Sequence, residues 1–341
     1  MLAAVAFHIA FATVAALSCA AAGLTATKVS EVIRTWDSAR ETSGITWAGG
    51  DTYYAVDDRD NRLYKLAIEL DSAGSIVTSK VVSSVIVFGA HDMEGCAFDP
   101  VSSNVWVSDE YNATIREIDP ATGKALRSVS LPAVQKKFYY NYSLESLAIS
   151  SDGLTMWTSN EESLPCDGTN STKTAGSTVR LTRFTRRSGD DNWYPSGQWA
   201  YLTDPVGSNP FVWNGKTMTR SGVADVAVLP DGTLLVLERK LRHEGLLADD
   251  FYARIYAVDL ACATDVSSLE SLRGAQYTLA KKSLVYSTGR MTMVNYEGMC
   301  IGPSLGDSSH KDVSLVVVSD AGASAMPKLM SLKLSTASVE N

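Results

Sequence analysis

A β-hairpin that recurs along the chain is the feature that most constrains its fold. In His91–Glu110 an apolar strand begins at Met93-Glu94-Gly95, and a turn follows over Asp99-Pro100-Val101-Ser102-Ser103-Asn104. The return strand Val105-Trp106-Val107 then runs into Ser108-Asp109-Glu110. Antiparallel pairing puts the start of the first strand and the end of the second at one edge, so Glu94, Asp109 and Glu110 are expected close together. The pattern returns as Ser43–Trp47 with Thr52–Asp58, and as Glu145–Ile149 with Met156–Glu161. It returns again as Val223–Val228 with Leu234–Arg239, and as Tyr296–Ile301 with Leu315–Asp320. Gly44, Gly95 and Ser146 stand 51 residues apart in succession, and self-similarity at such a period signals a repeat architecture.

Further strands lie between the hairpins. The first unit adds Arg62–Ile68 and Ile76–Val87, the second Thr114–Asp119 and Ala125–Leu131, and the fourth Arg254–Val258 and Lys282–Tyr286. The third adds Val179–Phe184 and Gln198–Leu202 after a polar insertion, Glu162–Ser177. Each unit is a four-stranded meander, in the first two of about 50 residues, the size of one propeller blade. The fifth has only Lys328–Leu332 before the chain ends, and Val29–Trp36 can supply its missing strand and close the ring. The expectation is an all-β chain forming a single β-propeller of five four-stranded blades closed by an N-terminal strand, with inserts long enough to hide a sixth blade.

With 341 residues, 45% hydrophobic and 20% charged, the chain has the means to bury an ordinary core. Its net charge of −8 and the absence of a dense Lys/Arg run argue against nucleic acid and anionic membrane surfaces as partners. Residues 1–26 contain no Asp, Glu, Lys or Arg, and Leu2–Leu17 is almost wholly apolar before a run of small residues. That reads as a signal peptide cleaved after Ala22 or Ala26, leaving 27–341 as the propeller domain; an uncleaved anchor or a lipidated Cys19 is the alternative. The mature chain is then expected outside the cytoplasm, secreted or periplasmic in a bacterium, free of the membrane, and monomeric. Asn112, Asn141 and Asn170 each open an acceptor sequon and would make it a glycoprotein in a eukaryote. Cys96, Cys166, Cys262 and Cys300 remain after the leader, an even number that permits disulfides but shows no metal spacing.

In a propeller the first strand of each blade lines the central channel, so the repeat becomes a candidate site. Alignment of the five copies puts Ser43, Glu94, Glu145, Ala224 and Glu297 at one rung, with Asp225 a residue later, and Asp57, Asp109, Asn160, Glu238 and Asp320 at the other. Carboxylates crowded at one mouth are costly unless raised pKa values or a bound cation compensate them. Hard oxygen ligands from several segments suit Ca2+, and Glu94, Asp109, Glu145, Asp225, Glu297 and Asp57 are the candidate ligands. The competing expectation is that these acids cap strand ends and pair with Arg59, Arg239, Arg242 or Arg254.

The ordered set SGITW…YYAVDD, DMEGCAFDP…VWVSDE, LESLAIS…TSNEE, VADVAVLPDGTLLVLER…IYAVDL and NYEGMCIGP…LVVVSD resembles the phytase-like family described as having esterase-like activity. The resemblance runs from roughly Thr42 to Leu334. It implies a secreted or periplasmic propeller that hydrolyses phosphate or carboxylic esters. The third unit departs from the family pattern, which has Gly where Ser146 stands and a small residue at Tyr142. The Glu-Gly strand starts also resemble the calcium-binding inner strands of gluconolactonase-type propellers.

Phytate is a dense polyanion, and a carboxylate face repels it unless Ca2+ bridges carboxylate to phosphate and rim cations such as Arg59, Arg239, Lys240 and Arg242 assist. Glu94 or Glu297 is the candidate general base, and His91, just ahead of Asp92-Met93-Glu94, a candidate ligand or base. Gly302-Pro303-Ser304-Leu305-Gly306 matches a nucleophile-elbow string, but it lies between two strands rather than on a strand-to-helix turn. Two classes of function follow. One is a Ca2+-dependent hydrolase of phosphate esters or simple esters; the other is a non-catalytic extracellular propeller that binds a protein or glycan and uses any Ca2+ structurally.

Overall fold

The computed structural model describes residues 23–36, 38, 39, 41–138, 143–214, 216–243, 249–289, 294–306, 312–320 and 327–336. An N-terminal strand β1 (Leu24–Ile33) precedes five sheets. Blade I is β2 (Thr42–Trp47), β3 (Thr52–Asp57), β4 (Arg62–Leu70) and β5 (Ile76–Ile86); blade II is β6 (Met93–Phe98), β7 (Val105–Asp109), β8 (Thr114–Ile118) and β9 (Ala125–Ser128). Blade III is β10 (Ala148–Ile149), β11 (Thr155–Ser159), β12 (Thr178–Thr185) and β13 (Tyr194–Leu202). After a small hairpin of β14 (Val212–Trp213) and β15 (Lys216–Thr217) comes blade IV, with β16 (Arg220–Val228), β17 (Leu234–His243), β18 (Asp249–Asp259) and β19 (Lys281–Ser287). Blade V is β20 (Asn295–Ser304), β21 (Val313–Asp320) and β22 (Lys328–Thr336), completed on its outer edge by β1, which pairs antiparallel with β22.

The innermost strands touch in sequence, β2 to β6, β6 to β10, β10 to β16, β16 to β20, and β20 back to β2, so five blades close the ring. The inserts hold the two-stranded β14–β15 hairpin, a 3-10 turn at Ala133–Lys136 and loops, and no sixth four-stranded blade is present among the described residues. Two of those loops are cross-tied by Arg180, whose buried guanidinium binds both oxygens of Asp167 and the carbonyls of Val266 and Leu269. That ion pair satisfies every buried charge it creates, as a buried pair must.

Each blade is sandwiched between two neighbours, so both faces of its inner strands are buried and period-2 alternation sorts side chains into two cores. On β7, Val105 and Val107 join the cluster shared with blade I, whereas Trp106 joins the one shared with blade III. The closing strand begins earlier than the sequence suggests. Arg34 adds one further backbone bond to that edge, from its amide to the Pro327 carbonyl at 2.8 Å, while its buried guanidinium binds Ala39 O (2.8 Å), Thr42 Oγ1 (3.0 Å) and Ser319 O and lies over the Trp36 ring. The expected leader falls on residues 1–22, outside the described residues, and Leu24, Thr25 and Ala26 already belong to β1. Cys96, Cys166 and Cys300 are free thiols. No helix among the described residues is long and apolar enough to cross a membrane.

Candidate functional site

The repeat builds one irregularity into every blade. Four innermost strands shift register at the same point, between Thr42 and Ile45, Met93 and Cys96, Val223 and Asp225, and Tyr296 and Gly298. In blade III the ladder starts only at Ala148, with an isolated Leu144–Asn160 bridge beyond the gap. A bulge frees residues from pairing, bends the strand and re-aims a side chain. The residues freed are Ser43 and Gly44, Glu94 and Gly95, Ala224, and Glu297, with Glu145 in the blade III gap.

Glycine lets these bent strands meet. A Cβ on Gly95 would lie 2.5 Å from Leu147 N, and one on Gly44 2.5 Å from the Glu94 carbonyl oxygen, closer than any side chain tolerates. Ser146 stands where the repeat has Gly, and its hydroxyl accepts the Ser159 amide at 2.9 Å, taking over a ladder bond. That substitution accounts for the broken first strand of blade III.

Backbone contact of this kind draws acids from successive blades together. Glu94, Glu110 and Glu145 each place a carboxylate oxygen within 4.8 Å of the others, and Asp58, Asp92 and Glu94 form a second such group around the same Glu94. Glu110 and Glu145 are buried and Glu94 is half-buried. Burial pushes the Glu94 carboxyl well above its ordinary range, and the charges of Glu145, Asp58 and Asp92 push it further. Glu145 is raised in the same way by burial and then by Glu161 and Glu110, and Glu110 by burial and then by Glu94 and Glu161. Burial lifts Asp58 to about 7 and Glu162 to about 8, with neighbouring carboxylates adding to both.

Arg239 is the counter-charge on the far side of the mouth. Its guanidinium contacts Glu161 at 2.6 Å, Glu145 at 3.6 Å and also Glu297, and so joins blade IV to blades III and V. Asn295 adds a bond to Glu297 at 2.7 Å, and Arg220 reaches Glu161 at 3.4 Å. Glu297 is therefore engaged, whereas the Glu94 side of the ring has no such cation among the described residues.

The other expected ligands lie elsewhere. Asp57 accepts the amides of Arg59 and Asp60, and Asp109 those of His91 and Asn112 together with the Arg116 guanidinium, so both close turns. Asp225 sits deep in the channel, where it accepts the Met299 and Val226 amides, both at 2.8 Å, and ties blade IV to blade V. The residues brought into the mouth are instead Asp58, Glu110 and Glu161, one position after Asp57, Asp109 and Asn160, and in blade IV the same step gives Arg239. Strand side chains alternate faces, so a shift of one residue exchanges turn for mouth. The adjacent acidic pairs in VDD, SDE and NEE were the available signal; Glu110 was expected near Glu94, but Asp58, Asp92, Glu161 and Glu162 were not singled out.

The expected rim cations do not converge. Arg239 is internal, Arg59 is exposed and paired with Glu41, and Lys240 is buried on the opposite face of β17 over the Tyr252 ring, with the half-buried Arg242 two residues on. His91 is exposed and its ring lies 5.3 Å from Tyr111. Asn112 is exposed in the turn after β7, Asn170 is half-buried, and Asn141 lies outside the described residues. Ser304 ends β20 at the other mouth, in no strand-to-helix turn.

A hard divalent cation fits the Glu94 side of the mouth. The donors are carboxylate oxygens only, several are buried, and Asp58 Oδ1 is buried without a hydrogen-bond partner. Ca2+ takes six to eight such oxygens in flexible geometry.

Residues 39–323 match the model of a phytase-like family, described as "Esterase-like activity of phytase". No curated protein matches the chain. Among solved structures it is similar to the hydrazine synthase of Kuenenia stuttgartiensis (13% identity, 84% of this chain, TM-score 0.37), of which it spans 58%. It is also similar to the glutaminyl cyclase of Myxococcus xanthus (10% identity, 92% of this chain and 98% of that one, TM-score 0.42). The endo-arabinase of Bacteroides thetaiotaomicron is a further neighbour (10% identity, 85% and 93%, TM-score 0.42).

Proposed function

Because this chain belongs to the phytase-like propeller family, we propose that it is an exported Ca2+-dependent hydrolase of phosphate esters or simple esters, acting at the acidic mouth. The observation that carries this reading is the group Glu94, Glu110 and Glu145, carboxylates of blades II and III held within 4.8 Å of one another, of which among the described residues only Glu145 meets a guanidinium, that of Arg239 at 3.6 Å. These three would hold the cation, with Asp92 beside them. Bound there, Ca2+ would polarise the ester and lower the pKa of a water. Asp58, next to Glu94 and with one unpartnered oxygen, is the group placed to take a proton from an attacking water. Arg239 fixes Glu145, Glu161 and Glu297, so the far wall of the mouth keeps its shape.

Within that reading the paired state of the cations favours a small, lightly charged ester over phytate. Arg239 and Arg220 are already bound to carboxylates, and a substrate with several phosphates would meet few free positive groups among the described residues. The test is hydrolysis of phytate, p-nitrophenyl phosphate and p-nitrophenyl acetate by the purified mature chain, with Ca2+ added or chelated. Calcium-dependent release is expected, most readily from the monoesters. Glu94→Gln and Glu145→Gln should each weaken Ca2+ binding at least about tenfold, and Asp58→Asn should lower kcat about a hundredfold, far more than it weakens Ca2+ binding. Ca2+ binding without turnover of any ester would leave a binding propeller with a structural ion. Absence of Ca2+ binding would remove the reading altogether.

A further inference from the structure

The repeat carries a second periodic feature at the opposite mouth. Three residues beyond Gly44, Gly95, Ser146, Asp225 and Gly298 stand Trp47, Phe98, Ile149, Val228 and Ile301, an apolar residue in all five blades. They rim a cavity of ≈ 330 Å³ whose walls come from the innermost strands of every blade. Trp47, Phe98, Ile149 and Ile301 stay half-exposed, leaving a ring of apolar surface in water. Apolar surface gathered in one concavity marks binding more often than chance exposure does.

The chemistry of the lining restricts the occupant. Among the described residues no charged side chain lines the cavity. Away from the serines at its rim, the polar side-chain atoms of the lining are committed inside the protein: Thr46 Oγ1 accepts the Phe98 amide at 2.9 Å, Trp47 Nε1 donates to the Gly50 carbonyl at 2.8 Å, and Cys96 Sγ donates to the Tyr54 carbonyl at 3.8 Å. Deeper in the channel, both oxygens of Asp225 are taken by backbone amides. An ion entering this space would lose its hydration with nothing to replace it. The volume suits a small molecule and is too short for an extended peptide.

We propose that this cavity is a second binding site, for a small uncharged molecule with an alkyl or aromatic body, separate from the acidic mouth. Ser151 and Ser304, both exposed at the rim, leave room for one neutral polar end such as a hydroxyl. The site rests on the apolar ring alone and stands whether or not the acidic mouth is catalytic.

Titration of the purified mature chain with N-phenyl-1-naphthylamine, an uncharged dye that emits in apolar surroundings, tests the assignment. One saturable site is expected, emptied by 1-decanol and untouched by inorganic phosphate. Ile149→Glu, which puts a charge on the rim, and Ala48→Trp, which narrows it from a half-exposed position, should each weaken the dye by about tenfold or more. Chelation of Ca2+ and Glu94→Gln should leave its affinity unchanged. The proposal is overturned if the wild type shows no saturable emission or if 1-decanol does not compete. It is equally overturned if Ala48→Trp, folded by circular dichroism, binds as the wild type does, or if the dye is lost with Ca2+, which would place it at the other mouth. Should Ile149→Glu fail to fold, Ala48→Trp and the decanol competition decide.

Discussion

Asp57 turns back to accept the amides of Arg59 and Asp60, while Asp58 turns into the acid cluster with a buried oxygen that has no hydrogen-bond partner. The same division separates Asp109 from Glu110 and Asn160 from Glu161, and in blade IV it separates Glu238 from Arg239. Because the step is one residue, the position that supplies an acid in three blades supplies a guanidinium in the fourth. Arg239→Met should therefore leave Glu145, Glu161 and Glu297 without their shared partner. A loss of about 3–5 kcal/mol in urea unfolding is expected, since breaking a buried pair costs more than the pair itself contributes. Arg239→Lys should recover less than half of it, because an ammonium cannot span the three carboxylates as the planar fork does. Equal stability of all three proteins would show that the mouth does not depend on that cation. The acidic character of this mouth was legible in the repeat; the face each acid takes was not, because it turns on where the bulge adds its extra residue.

At the scale of strands, five recurrent hairpins, the first three spaced by 51 residues, predicted five blades and their closure, since a blade is a local unit whose apolar alternation is written in its own segment. The ends of β1 were harder to read, because the side chains of Arg34 and Trp36 are engaged by groups that other strands contribute, Ser319 among them. Leu24 and Ala26 pack against the core of blades IV and V, so a leader cleaved after Ala22 keeps β1 whole and one cleaved after Ala26 does not. Under the proposed export, N-terminal sequencing of the secreted product should begin at Gly23; a start at Thr27 should come with a loss of roughly 1–2 kcal/mol from exposed apolar surface. A second contact between elements gives a pH prediction. Asp204, after β13, accepts the Tyr256 hydroxyl at 2.7 Å and the Lys282 ammonium at 2.9 Å, and so latches blade III to blade IV. Burial raises its carboxyl, but those partners outweigh burial and set it at about 2, below the ordinary 3.8. A depressed folded-state pKa stabilises above the unfolded value and loses that contribution as pH falls through the folded one. The stability gap between wild type and Asp204→Asn should be about 2 kcal/mol at pH 6 and less than half of that at pH 2. A gap that does not shrink would assign the latch to packing.

Across the whole molecule, the two mouths differ because one hairpin pattern places carboxylates at the start of the inner strand and an apolar residue four positions later, as in Glu94 and Phe98 or Glu145 and Ile149. Surplus negative charge is thereby concentrated at one end of a rigid ring whose blades cannot separate to relieve it. The folded chain pays for that repulsion and the unfolded chain does not, so a cation held by the mouth should stabilise the fold by mass action. At a Ca2+ concentration a hundred times its Kd the gain is about 2.7 kcal/mol, which for a chain of this size is a rise in Tm of roughly 5 °C. Mg2+ at the same concentration should do less, because it demands compact octahedral coordination that carboxylates fixed by several blades do not offer. Glu94→Gln and Glu145→Gln should abolish the Ca2+-dependent rise; in chelator Glu94→Gln should raise Tm, because it relieves like-charge repulsion in the cluster, and Glu145→Gln should raise it less, because it also gives up a contact with Arg239. Asp57→Asn, which damages a turn, should lower Tm equally with and without Ca2+ and leave the rise intact. A rise that survives both glutamate substitutions would put the cation elsewhere on the protein. A rise lost only with Asp57→Asn would return the ligand role to the residue that faces the turn.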